Sequence, residues 1–286
     1  MKFLRKHKKA VIICGALLVV LLTAIILMFT LFKLKKVDVN LKTETLNLTQ
    51  EDLEEIKEET LSKSGSVLFY GKDKLIKDLE SKFPYLKIVN IETKIPDQFV
   101  IHCAEREEFL KIESNNKTFV LDEELKILRI DETNGESSCV KLKFKDHFLN
   151  EETGKYEEKF VDLNLGEANV GQFLKLGNEE ITNLAKNILF SFEENNRNIG
   201  IVKGAYSVFE ISMVSEEIEG KLVWTPCLKV FDKFGFETQI LKANENLSEK
   251  LGVMFEAISS TDSENLVGKT LIIYKNLEGK FAYSLI

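Results

Sequence analysis

From Ala10 to Phe32 the chain reads AVIICGALLVVLLTAIILMFTLF, 23 residues without a charge. As a helix rising about 1.5 Å per residue this stretch reaches roughly 35 Å, enough to predict a transmembrane helix over 10–32. A cleaved leader would carry a shorter apolar stretch ending in small residues, whereas this one ends Phe29-Thr30-Leu31-Phe32 and meets Lys33. Lys2, Arg5, Lys6, Lys8 and Lys9 precede it, and only a short segment lies ahead of it. The expected topology is therefore a cytoplasmic tail over 1–9, a single span, and an exported body.

Beyond the span the period changes. Val37, Val39 and Leu41 alternate with polar residues as a half-buried strand does. Thr49 and Asp52 stand at capping-box spacing before a helix with Leu53, Ile56 and Leu61 near one face. A second helix is predicted over Lys72–Lys82, turning Leu75, Ile76, Leu79 and Phe83 inward and closed by Pro84. Val89, Ile91, Thr93 and Ile95 then alternate up to Pro96-Asp97, and Phe99, Ile101 and Cys103 alternate after it, which reads as a hairpin. Strand, helix, helix, strand, strand gives an α+β unit over 33–112, with two helices covering one face of a three-stranded sheet.

Residues 113–286 read as a mainly antiparallel β domain with two or more helices. Strands are predicted over 118–121, 125–130, 140–144, 160–165, 206–213, 221–231 and 236–241, with Asn134-Gly135 and Phe234-Gly235 as tight turns. One helix follows Asn178, its stripe formed by Ile181, Leu184, Ala185, Ile188, Leu189 and Phe192. Another carries Leu247, Leu251, Met254, Phe255 and Ile258, with Asn246 and Glu249 at capping-box spacing. The final hairpin pairs 270–275 with 280–286 through Asn276-Leu277-Glu278-Gly279.

Charge narrows the functional classes. Residues 1–36 hold eight of the 39 Lys and Arg and none of the 46 Asp and Glu, so the body is strongly acidic. A nucleic-acid binder needs a basic stripe on its folded part, and this body has the opposite sign. With Cys14 in the apolar run, Cys103, Cys139 and Cys227 are too few and too irregular for a disulfide framework. They read as small buried residues, with a Cys139 to Cys227 bridge as the alternative. No CxxC pair, HExxH, GxSxG or phosphate-binding glycine loop occurs, so no metal or cofactor is expected and no catalytic set assembles. His102 and Cys103 are neighbours on a strand and would face opposite ways. Asp131 to Glu136 lacks the oxygen-ligand alternation of a calcium loop. The Glu-rich run from Glu51 to Glu59 is either a solvated helix face or an acidic docking face.

One stretch remains. Phe281, Tyr283 and Leu285 alternate within Lys280-Phe281-Ala282-Tyr283-Ser284-Leu285, and could serve the core or a partner. If this last strand lies at a sheet edge, its free N–H and C=O groups can be completed by another chain.

Ser66-Val67-Leu68-Phe69, Leu75 to Leu79, Phe83-Pro84-Tyr85-Leu86, Val89-Asn90-Ile91, Lys94-Ile95-Pro96 and Cys103-Ala104-Glu105-Arg106-Glu107, all following an apolar N-terminal run, resemble the POTRA domain of the FtsQ/DivIB family of bacterial division proteins. The likeness is densest over 37–112 and continues more loosely through Asp232 to Ile240 and the helix after Asn244. It implies a non-enzymatic bitopic scaffold in the cell membrane at the division septum. The implied partners are FtsB/DivIC-like and FtsL-like membrane coiled-coil proteins and, through them, septal peptidoglycan synthases. Carried onto this chain, the partner-binding residues are Tyr274, Lys280, Phe281, Ala282, Tyr283, Ser284 and Leu285. Read from the residues alone, Glu105 and Arg106 either order the junction between the two exported domains or form a surface ion pair worth under about 1 kcal/mol. Relatives often carry an Asp-Leu-Arg-Tyr-like run before the last hairpin, where this chain has Ile273-Tyr274-Lys275-Asn276. The competing class is a membrane-anchored sensor or ligand-binding ectodomain, which would show a concave apolar pocket with converging polar groups.

Overall fold

The computed structural model describes residues 8–42, 46–63, 65–68, 71–132, 138–150, 155–160, 165, 167–176, 179–218, 221–262 and 265–286. The expected Asn134-Gly135 turn, most of the strand expected over 160–165, and the cap at Asn178 lie outside these residues. The chain forms two compact units, Met1–Arg106 and Glu107–Ile286.

The first unit begins with α1 (Lys8–Leu31). Its apolar side chains from Ile13 to Met28 are exposed. Among the described residues no helix is long and apolar enough to cross a membrane. This corrects the expected transmembrane helix over 10–32, since no described helix combines the length and apolarity that a hydrocarbon core of about 30 Å requires.

After α1 come β1 (Lys36–Leu41), α2 (Gln50–Lys63), α3 (Lys72–Lys82), β2 (Leu86–Lys94) and β3 (Gln98–Glu105). The sheet order is β1-β3-β2, with β1 parallel and β2 antiparallel to β3. Thr49 and Asp52 form a complete capping box at the start of α2. The Asp52 N–H donates to the Thr49 hydroxyl at 3.1 Å, and the Thr49 N–H donates to the Asp52 carboxylate at 2.7 Å. Leu53, Ile56, Leu75 and Leu79 from the helices close with Leu86, Ile91, Phe99, Ile101 and Cys103 from the sheet into one apolar cluster. The period-3.6 and period-2 stripes thus meet as the core.

The second unit contains β4 (Leu110–Ser114), β5 (Lys117–Leu121), β6 (Ile127–Asp131), β7 (Val140–Asn150), β8 (Lys155–Phe160), α4 (Glu179–Glu193), α5 (Ile199–Ala205), β9 (Tyr206–Ile218), β10 (Lys221–Asp232), β11 (Glu237–Ile240), α6 (Leu247–Ser260), β12 (Thr270–Lys275) and β13 (Phe281–Leu285). Its sheet runs β13-β12-β11-β10-β9-β7-β4-β5-β6, with β8 paired to β7 off this path. Six of the nine strand pairings described in this sheet are antiparallel, in line with a mainly antiparallel domain, but the sheet is mixed. β4 and β7, β7 and β9, and β11 and β12 run parallel. The cause is the connections. Parallel neighbours need a crossover, and α4 with α5 supplies one between β7 and β9 while α6 supplies another between β11 and β12.

The helices cover one face of this sheet. Ala185, Ile188, Leu189 and Phe192 of α4 and Leu247, Leu251 and Met254 of α6 join Phe109, Phe119, Phe209, Leu228, Leu271 and Ile273 in a single cluster. Phe192 lies at its centre, stacked on Phe209 at 5.7 Å and tilted against Tyr206 at 5.2 Å. The second expected capping box does not form. Asn246 sits at φ 50°, in the left-handed region instead of the extended conformation of a capping residue, and makes no side-chain bond to the helix. Cys103, Cys139 and Cys227 are buried, and no disulfide joins them among the described residues.

Candidate functional site

β13 is terminal in the described sheet order and pairs with β12. Thr270 and Ile286 exchange two backbone bonds, of 2.9 and 3.0 Å, and the Asn276 N–H donates to Lys280 O at 2.8 Å. In an antiparallel ladder bonded and non-bonded pairs alternate. Ala282 and Ser284, opposite Tyr274 and Ile272, therefore turn their N–H and C=O groups toward β12. Phe281, Tyr283 and Leu285 turn theirs outward, to the open edge.

The side chains of the same three residues point to the face under α6. Leu285 packs against the core cluster, opposite Leu271, which is buried. The Lys250 ammonium of α6 lies 5.5 Å from the centre of the Phe281 ring. Tyr283 lies opposite fully buried Ile273, yet is itself 44% exposed. The strand is thus held through its side chains on one face while its outer backbone groups face no described strand.

Lys250 was not marked by the sequence reading. Although buried, its ammonium donates to Leu241 O at 2.9 Å and Lys242 O at 2.6 Å. Burial, chiefly, pulls its pKa down to about 8. It ties α6 to the turn after β11 and carries Phe281 on its far side.

Glu105 and Arg106 lie at the end of β3, and their contacts run into the first unit. The Glu105 carboxylate accepts the N–H groups of Leu46 at 2.7 Å and Asn47 at 2.6 Å. Arg106 is buried, donating from Nε to Leu86 O at 3.0 Å and pairing with Glu80 at 3.1 Å. A planar guanidinium with several fixed donors suits such a buried strand end. The Glu-rich run on α2 is braced by lysines. Glu59 meets Lys63 at 2.8 Å and Lys82 at 2.7 Å, and Glu55 meets Lys82 at 2.8 Å. Those bonds hold the Glu59 carboxyl down at about 2.

His102 and Cys103 diverge as strand geometry requires. His102 faces Glu92 at 3.5 Å, while buried Cys103 points its sulfur to Asn40 O at 3.6 Å. Burial pushes the Cys103 thiol up to about 11, so it stays protonated near neutral pH.

A concave site that sequence reasoning missed lies in the second unit, where the loop after α4, the start of β9, the end of β10 and α6 converge. Its volume is about 550 Å³, within the roughly 300–1,000 Å³ range of small-molecule sites. Ile201, Phe234, Phe236, Phe255 and Ile258 supply apolar wall, and Arg197, Tyr206 and Asp232 supply the polar groups. The Arg197 guanidinium sits 4.9 Å from the centre of the Phe255 ring. The Asp232 carboxylate accepts the Phe234 N–H in the turn that Gly235 completes at φ 97°. Phe234 is 78% exposed. The Phe234-Gly235 turn was legible; the convergence was not, since Arg197, Asp232 and Phe255 come from three separate segments.

A scan against known families finds no matching family model, and no curated protein matches the chain.

Proposed function

We propose that the protein is a non-enzymatic scaffold of the bacterial division machinery, of the FtsQ/DivIB kind, that captures a membrane coiled-coil partner by adding the partner's strand to β13. The observation that carries this reading is the open edge, where Phe281, Tyr283 and Leu285 turn their backbone groups away from β12. Main-chain pairing supplies affinity in such a mode, and the half-exposed Tyr283 ring supplies selectivity. The exposed apolar side chains of α1 support placing the protein at the cell membrane. Confinement there raises its effective concentration toward other membrane-held partners without any new contact. FtsB/DivIC-like and FtsL-like proteins are the partners in this reading, and septal peptidoglycan synthases are reached through them.

The edge permits a clean test. Proline at 283 removes an outward N–H and leaves the β12 ladder intact, whereas proline at 284 removes a ladder donor. Tyr283→Pro is expected to abolish co-purification of the coiled-coil partners while the melting temperature stays near that of the parent. Ser284→Pro lowers both. Depletion in the native cell should leave chains of undivided cells. Undiminished partner capture by Tyr283→Pro, or normal division on depletion, overturns the reading.

The apolar cavity with converging polar groups favours a second reading beside the first, a ligand-binding ectodomain.

A further inference from the structure

The cavity beside α6 carries two opposite charges on apolar walls. Arg197 and Asp232 both line it, and among the described residues neither takes part in an ion pair. Arg197 is exposed and is held by its ring contact with Phe255 instead of by a carboxylate. Asp232 is half-buried and accepts one backbone N–H through one oxygen, which leaves its second oxygen for another donor. Tyr206 lies between them electrostatically. Its phenol is pushed upward first by burial and then by Asp232, and is drawn back by Arg197, so both charges act on one hydroxyl. Burial also raises the Asp232 carboxyl, with the Phe234 N–H opposing. An arriving ammonium would favour the charged carboxylate again.

We propose that this cavity binds a small zwitterion with an apolar body, a free apolar amino acid or a short apolar peptide with both ends unblocked. Its carboxylate is taken by Arg197, its ammonium by Asp232, and its side chains by the Phe234, Phe255 and Ile258 walls. Guanidinium and carboxylate match in charge and in planar geometry. A purely apolar ligand would leave both charged groups desolvated without partners, and a simple anion or cation would leave one of them so. The aromatic wall gives size without much conformational entropy to lose. The inference gives the ligand-binding reading its ligand class and is independent of the β13 edge.

The test is calorimetric titration of the full chain with L-phenylalanine, with the dipeptide phenylalanyl-leucine, and with that dipeptide acetylated at its N-terminus or amidated at its C-terminus. One of the two free zwitterions is expected to bind saturably at a single site, and the pair together separates the amino acid from the peptide as the source. Each blocked end should weaken binding roughly tenfold, the size of one charge-assisted hydrogen bond. The amide should lose no further affinity in Arg197→Gln, and the acetylated form none in Asp232→Asn, because each variant has already lost the contact that the block removes. Asn at 232 keeps the acceptor for Phe234, and Arg197 is exposed, so both variants should melt as the parent does. No saturable binding of any probe at millimolar concentration overturns the proposal. So does an affinity indifferent to blocking, or blocked forms that bind as tightly as the free ones. Partner capture through β13 should be unchanged in both variants, so failure here and failure of the scaffold reading show up in different measurements.

Discussion

Lys250 shows how much one residue can hold. Leu247, Lys250, Leu251 and Met254 follow helical spacing, so the position falls on the buried stripe of α6, and the structure buries all four. A lysine there is tolerated because its ammonium meets two backbone carbonyls, Leu241 O and Lys242 O, left at the end of β11. The cost appears in titration. Its pKa falls from 10.5 to about 8, so between those values the unfolded chain binds the proton and the folded chain does not. Stability should therefore rise as pH climbs through 8 toward 10.5, and the penalty is carried in full below 8. Urea denaturation from pH 7 to 10 should show this rise in the parent and its loss in Lys250→Met, with equal slopes in both ruling it out. The polar interruption of the stripe was visible in the spacing. Its partners were not, because they are main-chain groups contributed by fold and not by residue type. Arg197 and Asp232 were hidden for the same reason.

Among the elements, two sequences with the same capping spacing behave differently. Thr49 and Asp52 close their box, while Asn246 enters a left-handed conformation and caps nothing with its side chain. Thr49→Ala is thus expected to cost about 1 kcal/mol. Asn246→Gly should be neutral or slightly stabilising, since glycine takes φ 50° freely. Denaturant midpoints measure both, and a loss at 246 as large as that at 49 would show that spacing alone determines the cap. Period-2 and period-3.6 patterns made most strands and helices legible, including both halves of the last hairpin. β4 and α5 escaped for identifiable reasons. The β4–β5 turn uses Asn115-Asn116, both at positive φ, without the glycine that usually flags a two-residue hairpin. α5 carries Gly200 and Gly204 in seven residues, and its helix rests on the Asn198 side chain accepting the Ile201 N–H at 3.0 Å. The parallel pairings were the larger miss. Helices stood between the β7 and β9 segments and between the β11 and β12 segments, and a helix between sheet neighbours is what parallel pairing requires.

At the scale of the whole molecule, the described residues form two apolar core clusters that share no member. One draws from Leu34 to Cys103 and the other from Phe109 to Ile273. Each is contained in one compact unit, because the chain passes from one to the other at Arg106. Cooperativity follows shared burial, so each unit should unfold as its own transition. Leu79 is fully buried in the first cluster and Phe209 in the second. Truncation leaves a cavity as well as lost transfer energy, about 2–5 kcal/mol for Leu79→Ala and about 3–5 kcal/mol for Phe209→Ala. Denaturation followed by backbone circular dichroism and by tryptophan fluorescence should resolve the two, since Trp224 reports on β10 of the second unit alone. Leu79→Ala should move the transition that the indole does not see, and Phe209→Ala the one that it does. If either variant shifts both probes equally, the two cores form one folding unit, and a partner gripping β13 would then stabilise the whole chain rather than its distal sheet.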